Sequence, residues 1–190
     1  THNVGVGIDT LAAIVSGARN VAIGNNALDA ADGAESDNVA IGYNAMTETN
    51  DDGALKNTVI GTYAMQDSLG ASYENTFIGY GAGGGAWTGS PSIRNTGIGR
   101  GCMNGAMDAG NDNTAVGHGA LDLLTEGNDN ACFGSNSGNS ITTGGTNTML
   151  GVGTDVSSSG GTNQTAIGNG AIGQADNSVT LGNASVTDVY

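Results

Sequence analysis

The sequence predicts an all-β protein, a parallel β-roll or β-solenoid of about eleven short turns, that associates as a homotrimer around a common axis. Three observations support this prediction. A nine-residue phrase recurs along the chain, its apolar segments are very short and lie next to a glycine, and both faces of these segments are largely apolar. The first copies read NVAIGNNAL at 20–28, NVAIGYNAM at 38–46 and NTVIGTYAM at 57–65. Recurrence at a short period is typical of solenoids, in which successive copies stack.

A glycine that closes each short apolar segment defines the repeat. Successive closing glycines are 14 to 20 residues apart. Residues 1–190 therefore form a single repeat array. Its eleven closing glycines are Gly7, Gly24, Gly42, Gly61, Gly79, Gly99, Gly117, Gly134, Gly151, Gly168 and Gly182.

The residues before each glycine predict a short β-strand. The residue just before it is always large and apolar, the residue three places before it is usually Val or Thr, and the residue four places before it is Asn in nine of eleven copies. Because side chains alternate along a strand, the Val/Thr and Ile columns share one face and the residue between them lies on the other. We expect the Ile column, such as Ile23, to fill the roll with Leu28 and its equivalents. The middle column, mostly Ala, would then lie on a second face that neighbouring subunits cover, and the Asn column would form an amide ladder.

The residues after each glycine predict a tight corner. Asn or Gly predominates two places after it, and these residue types adopt positive φ at low cost. Tyr63 occupies this place in one copy, where we expect strain or a different turn.

The composition excludes some partners. With 18 acidic residues, 4 basic residues and a formal charge of -14, the chain would be repelled by nucleic acid and by anionic membranes. The longest apolar run, LAAIV at 11–15, is too short for membrane insertion. Cys102 and Cys132 occupy different places in the repeat, which favours buried thiols over a disulfide.

The phrases NVAIGNNAL, NVAIGYNAM and NTAVGHGAL (113–121) resemble the repeats of trimeric autotransporter adhesin heads, which also occur in phage tail fibres and related trimeric fibres. The resemblance implies a left-handed roll with three chains around one axis, displayed extracellularly on a virion tail fibre or a bacterial cell surface. Most turns here are longer than those of adhesin heads, so the extra residues are expected in outer loops. The ending NSVTLGNASVTDVY (177–190) resembles the stretch that precedes a self-cleaving intramolecular chaperone. Beginning at Thr1, the chain is expected to be a processed piece of a longer protein.

Two groups of residues are candidates for ligand contact. The longest loop insertion contains Trp87, Ser90 and Arg94, where an exposed aromatic flanked by polar groups would suit a sugar or a protein. The column directly after the closing glycine contains Tyr43, Tyr80, Arg100 and His118, a stripe that could bind glycan.

No cofactor is expected, although carboxylates in the loops could hold Ca²⁺. The carboxylate groups that raise this possibility are Asp29 with Asp32 and Glu35, Asp51 with Asp52, and Glu126 with Asp129.

The sequence contains no grouping of residues that predicts catalysis. We therefore expect a non-enzymatic fibre segment whose loops attach to a glycan or protein receptor on a cell surface. Alternatives are a tailspike-type polysaccharide depolymerase and a pure spacer without its own ligand. Ice binding is suggested by the Thr column, but that column would share a face with the buried Ile.

Overall fold

The computed structural model describes residues 2–29, 34–47, 53–68, 71–87 and 89–188. Within these ranges the chain forms a single parallel sheet whose eleven strands follow one another in sequence order. The chain winds as a β-solenoid of about nine turns, fewer than the eleven expected. The strands are β1 (Val4–Val6), β2 (Val21–Ile23), β3 (Val39–Ile41), β4 (Thr58–Ile60), β5 (Thr76–Ile78), β6 (Thr96–Ile98), β7 (Thr114–Val116), β8 (Ala131–Phe133), β9 (Thr148–Leu150), β10 (Thr165–Ile167) and β11 (Val179–Leu181).

The register keeps each repeat column in line. Val21 pairs with Val39, Ala22 with Ala40 and Ile23 with Ile41, and the same pattern continues through every neighbouring pair of strands. The columns read from the sequence are therefore columns in space, as predicted.

The expected asparagine ladder is confirmed. Asn95 Nδ2 donates to Asn75 Oδ1 at 3.2 Å and to the Gly110 carbonyl at 2.7 Å. Its own Oδ1 accepts from the backbone nitrogen and Nδ2 of Asn113, both at 3.0 Å. The side chain is completely buried, and all of its hydrogen-bonding capacity is used within the protein. Stacked amides thus hold successive turns together inside the solenoid.

The expected orientation of the strands is wrong. The middle column faces the interior and is completely buried from Ala22 to Ala166, whereas Ile23 and Ile98 are each 39% exposed. The large corner residues from Leu28 to Leu121 do lie inside, but opposite the middle column rather than opposite Ile, whereas Ile172 and Val186 near the end of the solenoid are 42% and 48% exposed. The reason is the narrow cross-section. When Leu or Met projects inward from the corner, the strand can contribute only a small residue.

A compensation between these two inward columns supports this explanation. Most turns combine a small strand residue with a large corner residue, such as Ala40 with Met46. One turn has Phe77 in the strand and Gly83 at the corner, where a Cβ atom would lie 2.9 Å from the Phe77 ring. The next strand contributes Gly97, whose Cβ would lie 2.7 Å from the same ring. The interior volume of each turn is therefore shared between strand and corner.

The corners have the predicted left-handed backbone. Asn26, Asn44 and Tyr63 have φ of 55°, 53° and 57°. Tyr63 therefore forms the same turn as the other corners rather than a different one, in a conformation that is costly for a tyrosine. The corner also contains left-handed residues that the sequence did not predict, since Leu28 and Met46 have φ of 52° and 54°. Burial of these large side chains offsets the cost of that conformation.

Both cysteines are buried and unpaired, as expected. Burial raises the pKa of each thiol to about 12. No helix in the described ranges has the length and apolar character that crossing a membrane requires.

Candidate binding groove and corner stripe

Five side chains form a continuous row along one corner of the solenoid, which we call the corner stripe: Tyr43, Tyr63, Tyr80, Arg100 and His118. The Tyr43 and Tyr63 rings meet edge to face with centroids 5.5 Å apart, and Tyr63 meets Tyr80 in the same way at 5.7 Å. Arg100 lies over Tyr80, with Cζ 5.6 Å from the ring centroid. Nη1 of Arg100 is 3.2 Å from Nε2 of His118. The predicted stacking of this column is therefore observed.

Tyr63 makes the aromatic part of the stripe continuous, and it was not among the predicted site residues. It lies one place further along its repeat than Tyr43 and Tyr80, and its ring fills the gap between them. A tyrosine in left-handed conformation costs about 1–2 kcal/mol, whereas two edge-to-face ring contacts contribute about 0.5–1.5 kcal/mol each. The two contacts are thus of a size to offset the strain.

A groove of about 320 Å³ opens beside the cationic end of the stripe. Among the described residues, no hydrogen bond joins the side chains of Asn104, Asp122, Asn136 or Asn139 to another residue of the chain, so their polar atoms are free for a ligand. We call this depression the Tyr80 groove, and its walls are Tyr80, Gly81, Arg100, Gly101, Asn104, His118, Gly119, Asp122, Asn136 and Asn139.

Arg100 differs from the other basic residues of the chain. Arg19, Lys56 and Arg94 all lie five places before a closing glycine, and each forms an ion pair with an acidic residue at the same place one turn later. These pairs form a ladder of alternating charge along a different line of the solenoid. Arg100 lies outside that ladder and forms no ion pair with the described residues, although the chain is strongly acidic. The acidic partners in the ladder are Asp37, Glu74 and Asp112.

The first predicted contact group does not come together. Trp87 is only 1% exposed, and its ring packs against Phe77 with centroids 5.7 Å apart. The expectation of an exposed Trp87 is therefore wrong, because the ring fills the interior below the loop. Arg94 is bound to Asp112 through Nε and Nη2 at 2.6 and 2.7 Å, and this pairing lowers the pKa of Asp112. Ser90 is exposed, and its backbone nitrogen donates to Asp108.

In the described part of the chain, no group of three or more His, Cys, Asp or Glu residues could hold a metal ion, so the carboxylates considered for Ca²⁺ are not gathered into such a cluster there. Glu35 is completely buried, and burial and the nearby Asp9 raise the pKa of Asp29. Asp32, Asp51 and Asp52 lie outside the described residues.

The fold defines a β-solenoid repeat protein. No protein-family model matches the sequence, and no curated protein is significantly similar to it.

Two signals in the sequence would have improved the site prediction. One is the alternation of basic and acidic residues five places before successive closing glycines, which predicts an ion pair for Arg94 but not for Arg100. The other is the inverse relation between strand and corner volumes, which places Phe77 inside and makes room there for Trp87.

Proposed function

We propose that this chain is a segment of an extracellular, non-enzymatic homotrimeric fibre, on a phage tail or a bacterial surface, which presents its corners and loops to a receptor on a cell. The observation that carries the proposal is the outward side of the sheet, formed by the Val/Thr and Ile columns of β1–β11 and here called the strand face. Large apolar side chains of this face are exposed in β1, β2, β6 and β8–β11 and half-buried in β3–β5 and β7. Those above one third exposure include Val6, Ile23, Ile98, Phe133, Leu150, Ile167 and Leu181.

The size of the strand face supports association. Eleven strands spaced about 4.8 Å apart give a length of about 50 Å, and three residues give a width of about 10 Å. The resulting patch of about 500 Å² is of the same order as the area that each partner contributes to a stable interface. It contains no charged residue. The Ile column forms an apolar stripe that is flanked by Thr in six of the strands. A patch of about 500 Å² lies within the range of about 300–600 Å² for the largest apolar patch of a monomer, and such patches are often functional.

Copies of the same chain are the occupant that fits this surface best. A symmetry axis parallel to the solenoid brings each layer of one chain against the same layer of another, so that Ile meets Ile along the whole fibre. The resemblance of the repeats to adhesin heads supports three chains rather than two. Association through the strand face would replace the originally expected contact through the Ala column, which is buried within each chain.

Sedimentation equilibrium tests the assembly. We expect a mass three times the 18.6 kDa of the chain. Replacing Ile98 by Glu should dissociate the trimer, because three carboxylates would be brought together without water. Leu123→Glu is the control, since Leu123 is 52% exposed, against 39% for Ile98, but lies between β7 and β8, outside the strand face. A wild-type monomer, or equal effects of both variants, would refute the assembly.

Cell binding and glycan hydrolysis test the attachment role. Fluorescently labelled protein should bind intact bacterial or animal cells that display the receptor, and should release no reducing ends from capsular polysaccharide. Hydrolysis would support the depolymerase alternative, and a trimer that binds no cell would support the spacer.

The orientation of the sheet supports ice binding as a further candidate function. The Thr column, including Thr58, Thr96 and Thr148, lies on the outward face rather than beside a buried Ile. A monomer that alters the shape of growing ice crystals would favour that function over the fibre.

A further inference from the structure

We propose that the Tyr80 groove binds a saccharide residue that carries one carboxylate, such as a uronic acid. The inference rests on the proposed receptor-binding function and names the chemistry of the ligand. The groove combines an exposed aromatic ring, a guanidinium group without an acidic partner, and side-chain amides that are free to hydrogen-bond.

The cationic end of the groove selects for an anion. The other three basic residues of the chain are neutralised by acidic residues one turn away, whereas the stripe neighbours of Arg100 are Tyr80 and His118. The guanidinium fork can donate two parallel hydrogen bonds to a carboxylate. His118 is within hydrogen-bonding distance of the same guanidinium. Because a guanidinium can only donate, His118 Nε2 accepts from Arg100 Nη1, which orients the guanidinium and leaves its remaining N–H groups to bind a carboxylate.

The remainder of the groove favours a sugar. Tyr80 is 53% exposed, and the apolar face of a pyranose ring packs well against an exposed aromatic ring. Asn104, Asn136 and Asn139 offer amide donors and acceptors for hydroxyl groups. A volume of about 320 Å³ lies at the lower end of the range for small-molecule sites, which suits one or two sugar residues.

Asp122 narrows the choice of ligand further. Its carboxylate lies in the wall of the same groove, where it can accept hydrogen bonds from hydroxyl groups but repels a second negative charge. The overall charge of -14 also repels ligands that carry several negative charges. We therefore expect a ligand with a single carboxylate to bind better than a polysulfated or polyphosphorylated glycan.

The test is titration calorimetry on the assembled protein with a disaccharide that contains one uronic acid. The methyl ester of the same disaccharide and a sulfated disaccharide are the comparison ligands. Arg100→Gln should weaken binding of the acid about tenfold or more, because charge-assisted hydrogen bonds are lost. Arg94→Gln is the matched control, since it removes the same charge from the ion-pair ladder and should leave the affinity unchanged. Tyr80→Ala should weaken binding of both the acid and its ester.

Three results would overturn the inference: equal affinity for acid and ester, tighter binding of the sulfated ligand, or equal effects of Arg100→Gln and Arg94→Gln. Failure of this site would be distinguishable from failure of the proposed function. A fibre that uses another surface would still sediment as a trimer and bind cells, with or without Arg100.

Discussion

Phe77 and Gly83 allow a test of the prediction that strand and corner side chains share the interior volume of one turn. Replacing Phe77 by Ala removes a completely buried ring and should cost about 3–5 kcal/mol. Gly83→Met places a Cβ atom 2.9 Å from that ring and should cost about 1–3 kcal/mol through overpacking. The left-handed backbone at this position adds about 1–2 kcal/mol for any residue other than glycine. The double variant recreates the combination found at Ala40 and Met46, where Met adopts φ of 54°, close to the 62° of Gly83. We expect it to be at least about 2 kcal/mol more stable than the sum of the single effects predicts.

Urea denaturation followed by circular dichroism would measure this coupling, with the protomer concentration held constant because association contributes to stability. Gly153→Met is the matched control. Gly153 also has φ of 62°, but a Cβ atom there would meet nothing within 4 Å. Combining it with Phe77→Ala should give additive effects. Additivity within about 0.5 kcal/mol for the Phe77 and Gly83 pair as well would refute the shared-volume explanation.

Three further predictions concern groups inside the solenoid. Asn95→Ala should lower the free energy of unfolding by about 3–5 kcal/mol in the same urea assay, because the Gly110 carbonyl and two donors of Asn113 lose their partner. The control is Asn169→Ala, which changes an exposed side chain and should alter the free energy of unfolding by less than about 0.5 kcal/mol. The buried thiols, whose pKa is raised to about 12, should resist iodoacetamide at pH 8 until urea unfolds the chain, and rapid labelling of the native protein would contradict their burial. The single tryptophan should show blue-shifted fluorescence that acrylamide quenches poorly, and emission typical of a solvent-exposed indole would contradict its packing against Phe77.

The corner stripe shows how far the sequence leads towards a site. Because the register preserves columns, Tyr43, Tyr80, Arg100 and His118 could be placed on one line from their distance to the closing glycine. Tyr63 could not, since it belongs to the next column and reaches the line only through the length and direction of its side chain. Trp87 was misplaced because a large loop residue is compatible with either exposure or burial. Only the space beside Phe77 decides between them.

For the fold as well, the sequence determined some features and the tertiary structure decided others. The sequence by itself determined the number of strands, their parallel register, the asparagine ladder and the left-handed corners, because each depends on a residue type that recurs at a constant place in the repeat. Only the tertiary structure decided which side of the strand faces inward. Alternation assigns residues to two faces, but both faces here are apolar, so hydrophobicity could not identify the interior. The narrow space left by Leu28, Met46 and their equivalents made that choice, admitting small residues and turning the Ile column outward.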